Sequence, residues 1–304
     1  MLGLAALTAQ ARVIELVLPY APGGTADKLG QTILPVLRNE LAKSNDSAVI
    51  TFKPGGGTTI GAGIVAKTDP GKIQMLLISN SIVQAPIINQ LPNVYNINED
   101  FRVVGYLGHL PMMLVVNTET NIQTFAEFKS QCQQGKLKFG TGGNGTSGHI
   151  TGAIISDRAG CDAPAAHFKG LGPMLNALAG NHVNYGVDYP SAVKPLIEAN
   201  KLRPVLIFDR QRLSAYPDVP TIKEVGIDVQ LENWFIIAVN STATAEDIAM
   251  IQKAVTQTLS NPGLVEQLKE SGFKNINARV PSNFLANEQN NFIKLIKNIK
   301  LDVK

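Results

Sequence analysis

The sequence predicts an α/β protein built as two lobes, and three observations carry that prediction. Short apolar runs alternate with helix-spaced patterns along most of the 304 residues, as strands joined by helices require. The pattern starts afresh after Thr118, giving two successive α/β blocks and then a helical return. Each block also contains a strand, a glycine-rich turn and a helix start in direct succession.

In the first block, Val13–Leu18 is a β-rich run ending at Pro19. Leu29, Ile33, Leu37 and Leu41 then mark one face of a helix over Lys28–Leu41. Pro35 falls inside that pattern and is expected to kink or shorten the helix. Ala48–Phe52 is the next strand, closed by the turn Pro54-Gly55-Gly56-Gly57, and Gly61–Lys67 a short helix. Ile73–Ile78 is almost continuously apolar, as in a strand buried on both faces. Val103–Leu107 and Met112–Val116 follow, split by Pro111.

In the second block Phe125–Gln133 is helical, Leu137–Gly140 extended and His149–Arg158 helical. Pro173–Leu178 and Ser191–Ala199 are helices on either side of the extended run Val183–Val187, and Leu202–Phe208 is a strand. Asp209–Gly226, with Pro217 and Pro220, is a long connection to the strand Asn233–Val239. Thr244, with Asp247 three positions on, resembles a capping box. The helix it opens carries Ile248, Ile251, Val255 and Leu259 on one stripe, and a last helix covers Phe284–Ile299.

Composition narrows the function. Hydrophobic residues make up 44% and charged residues 17%, against about 25% charged in a typical domain, so the chain has a real core. A net charge of +3, from 27 basic and 24 acidic residues, provides no clustered basic stripe, and nucleic acid is not expected as a partner. Two cysteines and four histidines show no metal-binding spacing, so neither a metal nor a cofactor is expected. Met1–Ala11, apolar and ending Ala9-Gln10-Ala11, looks like the remnant of a signal peptide, although no Lys or Arg precedes it. In an exported chain Cys132 and Cys161 could pair; two cysteines alone do not prove it.

The two strand–turn–helix junctions are the informative features. The first reads Pro19-Tyr20-Ala21-Pro22-Gly23-Gly24-Thr25-Ala26-Asp27, and the second runs from Gly140 to His149 as GTGGNGTSGH. Glycine lets a ligand approach the main chain, and the first turn of a helix presents unpaired N–H groups and partial positive charge. Such a junction suits an anion without any arginine. Gly23-Gly24 lacks the Gly-Lys-Ser/Thr of a Walker A loop, and Gly145-Thr146-Ser147-Gly148 lacks the spacing of a nucleophile elbow. The GxGxxG at Gly140–Gly145 lies mid-chain and has no acidic ribose partner. His149, a lone histidine at a helix start, fits a capping role better than general-base chemistry. No catalytic residue is assigned.

Taken in order, the first junction, Pro54–Ala62, Asp100-Phe101, the Gly140–His149 stretch, Phe168-Lys169-Gly170, Pro217–Gly226 and Trp234-Phe235 resemble a known family. They are similar to the solute receptors of tripartite tricarboxylate transporters, the Bug receptors. The resemblance implies a periplasmic binding protein fold of type II, two α/β lobes joined by crossing strands. Residues 12–115 and 235–304 would form the first lobe and 116–234 the second. It further implies a periplasmic monomer, not an enzyme, that closes on a small organic carboxylate and delivers it to a membrane permease.

Carried onto this sequence, the first-lobe contacts would be Tyr20, Gly23, Gly24, Thr25 and Asp27, with Ser79 at a strand end. The second-lobe contacts would be Thr141, Asn144, Gly145, Thr146 and His149, with Asp188 at the end of its strand. Asp27 has a competing role as a helix cap, and Asp188 one as the support of the loop Tyr189-Pro190-Ser191. Phe168 stands where the family has tyrosine, and Thr58 replaces a customary glycine, so the second glycine turn should differ in shape. The alternative is an α/β enzyme that uses the same turns to bind a nucleotide or acyl substrate.

Overall fold

The computed structural model describes residues 11–161, 163–227, 229 and 233–297. The expected signal-peptide remnant therefore lies outside the described residues apart from Ala11.

Five strands form the first sheet, in the order β2-β1-β3-β10-β4. These are β1 (Arg12–Leu18), β2 (Asp46–Phe52), β3 (Met75–Ser79), β4 (Phe101–His109) and β10 (Trp234–Asn240). The second sheet has the order β7-β6-β8-β5-β9, from β5 (Met112–Asn117), β6 (Phe139–Thr141), β7 (Ala165–His167), β8 (Tyr185–Asp188) and β9 (Leu202–Phe208). Each sheet is mixed in the same way: β1, β2 and β3 run parallel with β10 antiparallel to β3, and β6, β7 and β8 run parallel with β5 antiparallel to β8. Every residue of β3, β5 and β10 is buried, which is why these strands read as unbroken apolar runs rather than alternating ones.

The chain crosses between sheets twice, from β4 to β5 through Leu110-Pro111 and from β9 back to β10. The Leu110 amide donates to the Asn233 carbonyl at 2.8 Å, tying the two crossings together. The lobes are thus joined by crossing strands as expected, with a corrected boundary. Met112–Val115 belongs to the second sheet, not to a first lobe ending at 115, and Trp234 belongs to the first sheet. Pro111 marks the passage between lobes and not a break within one.

Helices cover both sheets. In the first lobe α1 (Thr25–Ala42), α2 (Thr59–Ala66) and α3 (Ser81–Ile88) follow β1, β2 and β3; in the second, α4 (Phe125–Gln133) precedes β6, α5 (Ser147–Ala159) follows it, and α6 (Leu171–Ala179) and α7 (Pro190–Glu198) follow β7 and β8. After β10 come α8 (Ala245–Leu259), α9 (Pro262–Glu270) and α10 (Phe284–Ile296). The last helix was expected to reach Ile299, whose position lies outside the described residues. Helix α1 continues through Pro35 without stopping. Pro35 is exposed, so the Gln31 carbonyl that loses its helical partner faces water, while Leu29, Ile33, Leu37 and Leu41 keep the opposite face buried.

Local chemistry fixes the ends of these elements. The Thr244 hydroxyl accepts from the Asp247 amide at 3.1 Å, as the capping pattern predicted. Arg12 forks onto both Asp46 oxygens and reaches Asp247 at 2.7 Å, clamping β1 to β2 and to the start of α8. Cys132, at the end of α4, is disulfide-bonded to Cys161, just beyond α5.

Candidate functional site

The two lobes meet at the carboxyl ends of their parallel strands, where open α/β sheets bind ligands. Tyr20 follows β1, Ser79 ends β3, and Ser81 opens α3. The Tyr20 hydroxyl accepts from the Ser79 amide at 3.0 Å and lies 2.9 Å from Ser79 Oγ and 3.1 Å from Ser81 Oγ. Thr58 extends this set, its hydroxyl donating to Ser81 Oγ at 3.2 Å.

The set continues into the second lobe. Ser147, the first residue of α5, lies with its Oγ 3.2 Å from Ser79 Oγ and donates to Asn80 Oδ1 at 2.6 Å. Because the Ser147 proton is committed to Asn80, Ser79 is the donor in the Ser79–Ser147 contact. Asn80 in turn donates to Asn233 Oδ1 at 3.1 Å, beside the crossing strands. A continuous polar chain therefore runs from Thr58 through Ser81, Tyr20, Ser79, Ser147 and Asn80 to the hinge. No lysine or arginine bonds to any member of it among the described residues. Burial raises the pKa of Tyr20 and, further, of Tyr189, so both phenols stay neutral hydrogen-bonding groups.

Both glycine junctions line the seam between the lobes. A β-carbon on Gly24 would stand 3.6 Å from the Leu171 side chain of the second lobe, and one on Gly170 would stand 3.0 Å from the Ala21 β-carbon. Across the seam, a β-carbon on Gly145 would come within 2.8 Å of Ala85 Cα, and one on Gly57 within 2.0 Å of the Asn144 carbonyl oxygen. Gly57 and Gly145 have φ of +63° and +76°; only glycine combines that backbone with so close an approach. At the rim, Lys28 Nζ donates to the Ser191 carbonyl at 3.1 Å.

Several residues expected to touch a ligand use their polar atoms inside their own loops. Asp27 accepts from the Gly23 amide at 2.7 Å. Thr141 is buried and exchanges hydrogen bonds with the backbone of Gly143, at 3.2 and 3.3 Å. The Thr146 hydroxyl caps α5, accepting from the His149 amide, and donates to the Gly143 carbonyl at 2.8 Å. His149 Nδ1 accepts from the Gly145 amide at 3.1 Å, and burial, with His167 beside it, lowers its pKa to about 4. These side chains shape the two turns.

Other groups remain open to a ligand. The amides of Thr25 and Ala26 at the start of α1, and of Ser147 and Gly148 at the start of α5, make no hydrogen bond among the described residues. Thr25 Oγ1 and Asn144 Oδ1 are buried without a partner among the described residues, and the Tyr189 hydroxyl is buried beside Ser147. Asp188 is 9% exposed, accepts from the Tyr189 amide at 2.7 Å, and is pushed up to about 7 by desolvation. Sequence reasoning missed Thr58, Asn80, Ser81, Ser147 and Tyr189. The Ser79-Asn80-Ser81 run after a buried strand, and the serine within the second glycine turn, were the signals available.

The model of the tripartite tricarboxylate transporter family receptor matches residues 33–301 of this chain. The chain belongs to that family. Among its relatives, the receptor is 25% identical over 269 residues to protein BugT of Bordetella pertussis, a match covering 87% of this chain and 82% of BugT. Of solved structures, periplasmic binding protein BugD superposes with a TM-score of 0.86 at 22% identity, covering 94% of this chain and 97% of that one. Rpa4515 of R. palustris, solved with adipate, superposes with a TM-score of 0.85 at 25% identity, covering 94% and 96%. The receptor's fold is thus that of the periplasmic binding proteins. Within the second-strand glycine turn of the receptor, Thr58 adopts φ +96°, a strained value for a β-branched residue, and its hydroxyl joins the polar chain through Ser81.

Proposed function

We propose that this receptor works in the periplasm, closes on a small organic carboxylate and presents it to a membrane permease. The observation that carries the reading is the meeting of two helix N-termini, α1 and α5, across a seam bridged by the Ser79–Ser147 hydroxyl contact. Free first-turn amides and neutral hydroxyls stabilise an anion by oriented dipoles, with no buried cation to desolvate. A ligand that touches both lobes stabilises the closed arrangement, so closure and binding are one equilibrium. Micromolar affinity corresponds to about −8 kcal/mol, within reach of two junctions plus ordered hydroxyls. The adipate held by Rpa4515 supports a dicarboxylate as the first class to test.

The protein acts by binding rather than by turnover. His149, the base that an acyl-transfer mechanism would need, has its Nδ1 occupied by the Gly145 amide and a depressed pKa. One chain supplies both walls of the cleft, so a second copy is not required to complete it.

The test is a thermal-shift screen of mono-, di- and tricarboxylates, acidic amino acids and aromatic acids. Calorimetry on the hits and native mass spectrometry before and after incubation complete it. A carboxylate that raises the melting temperature and is recovered unchanged is expected. No shift with any carboxylate, or conversion of the bound compound, overturns the reading.

A further inference from the structure

We propose that Asn89 is a positioning residue that sets the strength of closure without touching the ligand. It stands at the end of α3 in the first lobe, with its Nδ2 donating to the Ala85 carbonyl at 2.8 Å. A carbonyl can only accept, so this bond fixes the side-chain amide and turns Asn89 Oδ1 outward. Asn144 of the second lobe donates its Nδ2 to that oxygen at 3.0 Å. Asn89 Nδ2 also faces the Asn144 carbonyl at 3.5 Å, a long contact that adds less than the first. Asn144 thus spends its donor on the opposite lobe and leaves its Oδ1 buried and unpartnered among the described residues.

The backbone around the pair is cut to fit. Gly57 leaves room for the Asn144 carbonyl and Gly145 rests on Ala85, so the second-lobe turn seats on α3 with the two amides in register. Each residue of the pair lies in a different lobe, and opening the cleft breaks the bond between them. The clasp therefore biases the lobes toward closure in the free receptor as well, and every ligand that needs closure gains by the same factor.

This inference rests on the proposed carboxylate binding for its affinity arm and is independent of it for its exchange arm. Asn89→Ala should weaken succinate, adipate, malate and citrate by one common factor, about three- to tenfold for a net hydrogen bond, through faster dissociation. In Asn144→Ala the side-chain bond is already gone and only the long contact to the residue 144 carbonyl is left, so Asn89→Ala/Asn144→Ala should bind at most about twofold more weakly than Asn144→Ala alone. Amide hydrogen exchange without ligand should accelerate across residues 143–148, on the opposite lobe from the substitution. A factor that differs between ligands makes Asn89 a contact and overturns the proposal, as do additive losses in the double variant. Unchanged exchange at 143–148 overturns it too. If the wild type binds none of the four acids, the functional reading fails, while the exchange measurement still decides the clasp.

Discussion

The carbonyl oxygen of Asn144, in the second lobe, occupies the space next to the Gly57 α-carbon in the first, 2.0 Å from where a β-carbon on Gly57 would stand. Closure of the cleft thus depends on a missing methyl group. Gly57→Ala should leave the open receptor folded and prevent the lobes from seating. Overpacking of this kind costs about 1–3 kcal/mol, or roughly 5- to 150-fold in affinity, measurable by calorimetry. Gly71→Ala is the control: its φ of +78° brings similar backbone strain with nothing within 4 Å, so its stability should fall while its affinity holds. Equal affinity losses in both would remove the steric explanation.

Ser147 joins the lobes by one hydroxyl. Ser147→Ala leaves Asn80 Oδ1 without its 2.6 Å donor and Ser79 without its cross-lobe acceptor. An unsatisfied buried group costs about 1–3 kcal/mol, and here the cost falls on the closed state. Carboxylate affinity should drop by about 5- to 150-fold, with less effect on the melting temperature of the free protein. Tyr20→Phe contrasts with it, because the Ser79 amide it strands lies within the first lobe; that variant should lose thermal stability whether or not ligand is present.

Asp188 gives the receptor a pH dependence of defined sign. Desolvation raises its pKa to about 7 from an ordinary carboxyl value near 3.8. Between these values the native state holds a proton that the unfolded state has released. Stability contributed by the neutral acid is therefore full below about 3.8 and is lost as pH rises through about 7, a change on the order of 4 kcal/mol. His149 works the other way: its lowered pKa of about 4 makes its contribution full above its ordinary 6.5 and lost as pH falls toward 4. Denaturant titrations of wild type and Asp188→Asn from pH 5 to 8.5 separate the two, and the stability difference should fall steadily from pH 5 to about 7 and level off above it. An anion closed in the same cleft should bind more weakly above pH 7 in wild type and with a flatter profile in Asp188→Asn.

The disulfide is a stability element away from the cleft. Replacing Cys132 and Cys161 by serine releases a crosslink spanning 29 residues, worth about 3 kcal/mol. The melting temperature should fall, and reduction of the wild type should reproduce the fall. Affinity should stay within about twofold; a larger loss would tie the end of α4 to ligand binding.

The sequence made the frame of the site legible and left its wiring hidden. Met75–Ser79 and Trp234–Asn240 are buried on both faces, so hydropathy alone marks them, and both glycine junctions sit where strand patterns end. Helix α3 escaped because Pro86 and a nearly all-apolar composition mask any helical stripe over Ser81–Ile88. Asp27 and His149 were ambiguous for a chemical reason: the same carboxylate or imidazole suits a ligand and a turn amide equally, and only coordinates show that Gly23 and Gly145 hold them. Ser147, Asn80 and Asn89 acquire their roles from partners 55 to 68 positions away, a relationship no local pattern encodes.

The strand order has a consequence for how the polypeptide is assembled. All five strands of the second sheet come from one uninterrupted stretch, Met112–Phe208, whereas β10 slots between β3 and β4 long after both have been synthesised. The later-encoded half can mature as soon as it emerges, but the earlier-encoded half must wait, with a gap in its middle, for Trp234–Asn240 to arrive. The amino-terminal part of the molecule is the last to finish, and that interval is when its apolar strand edges stand most open to mispairing.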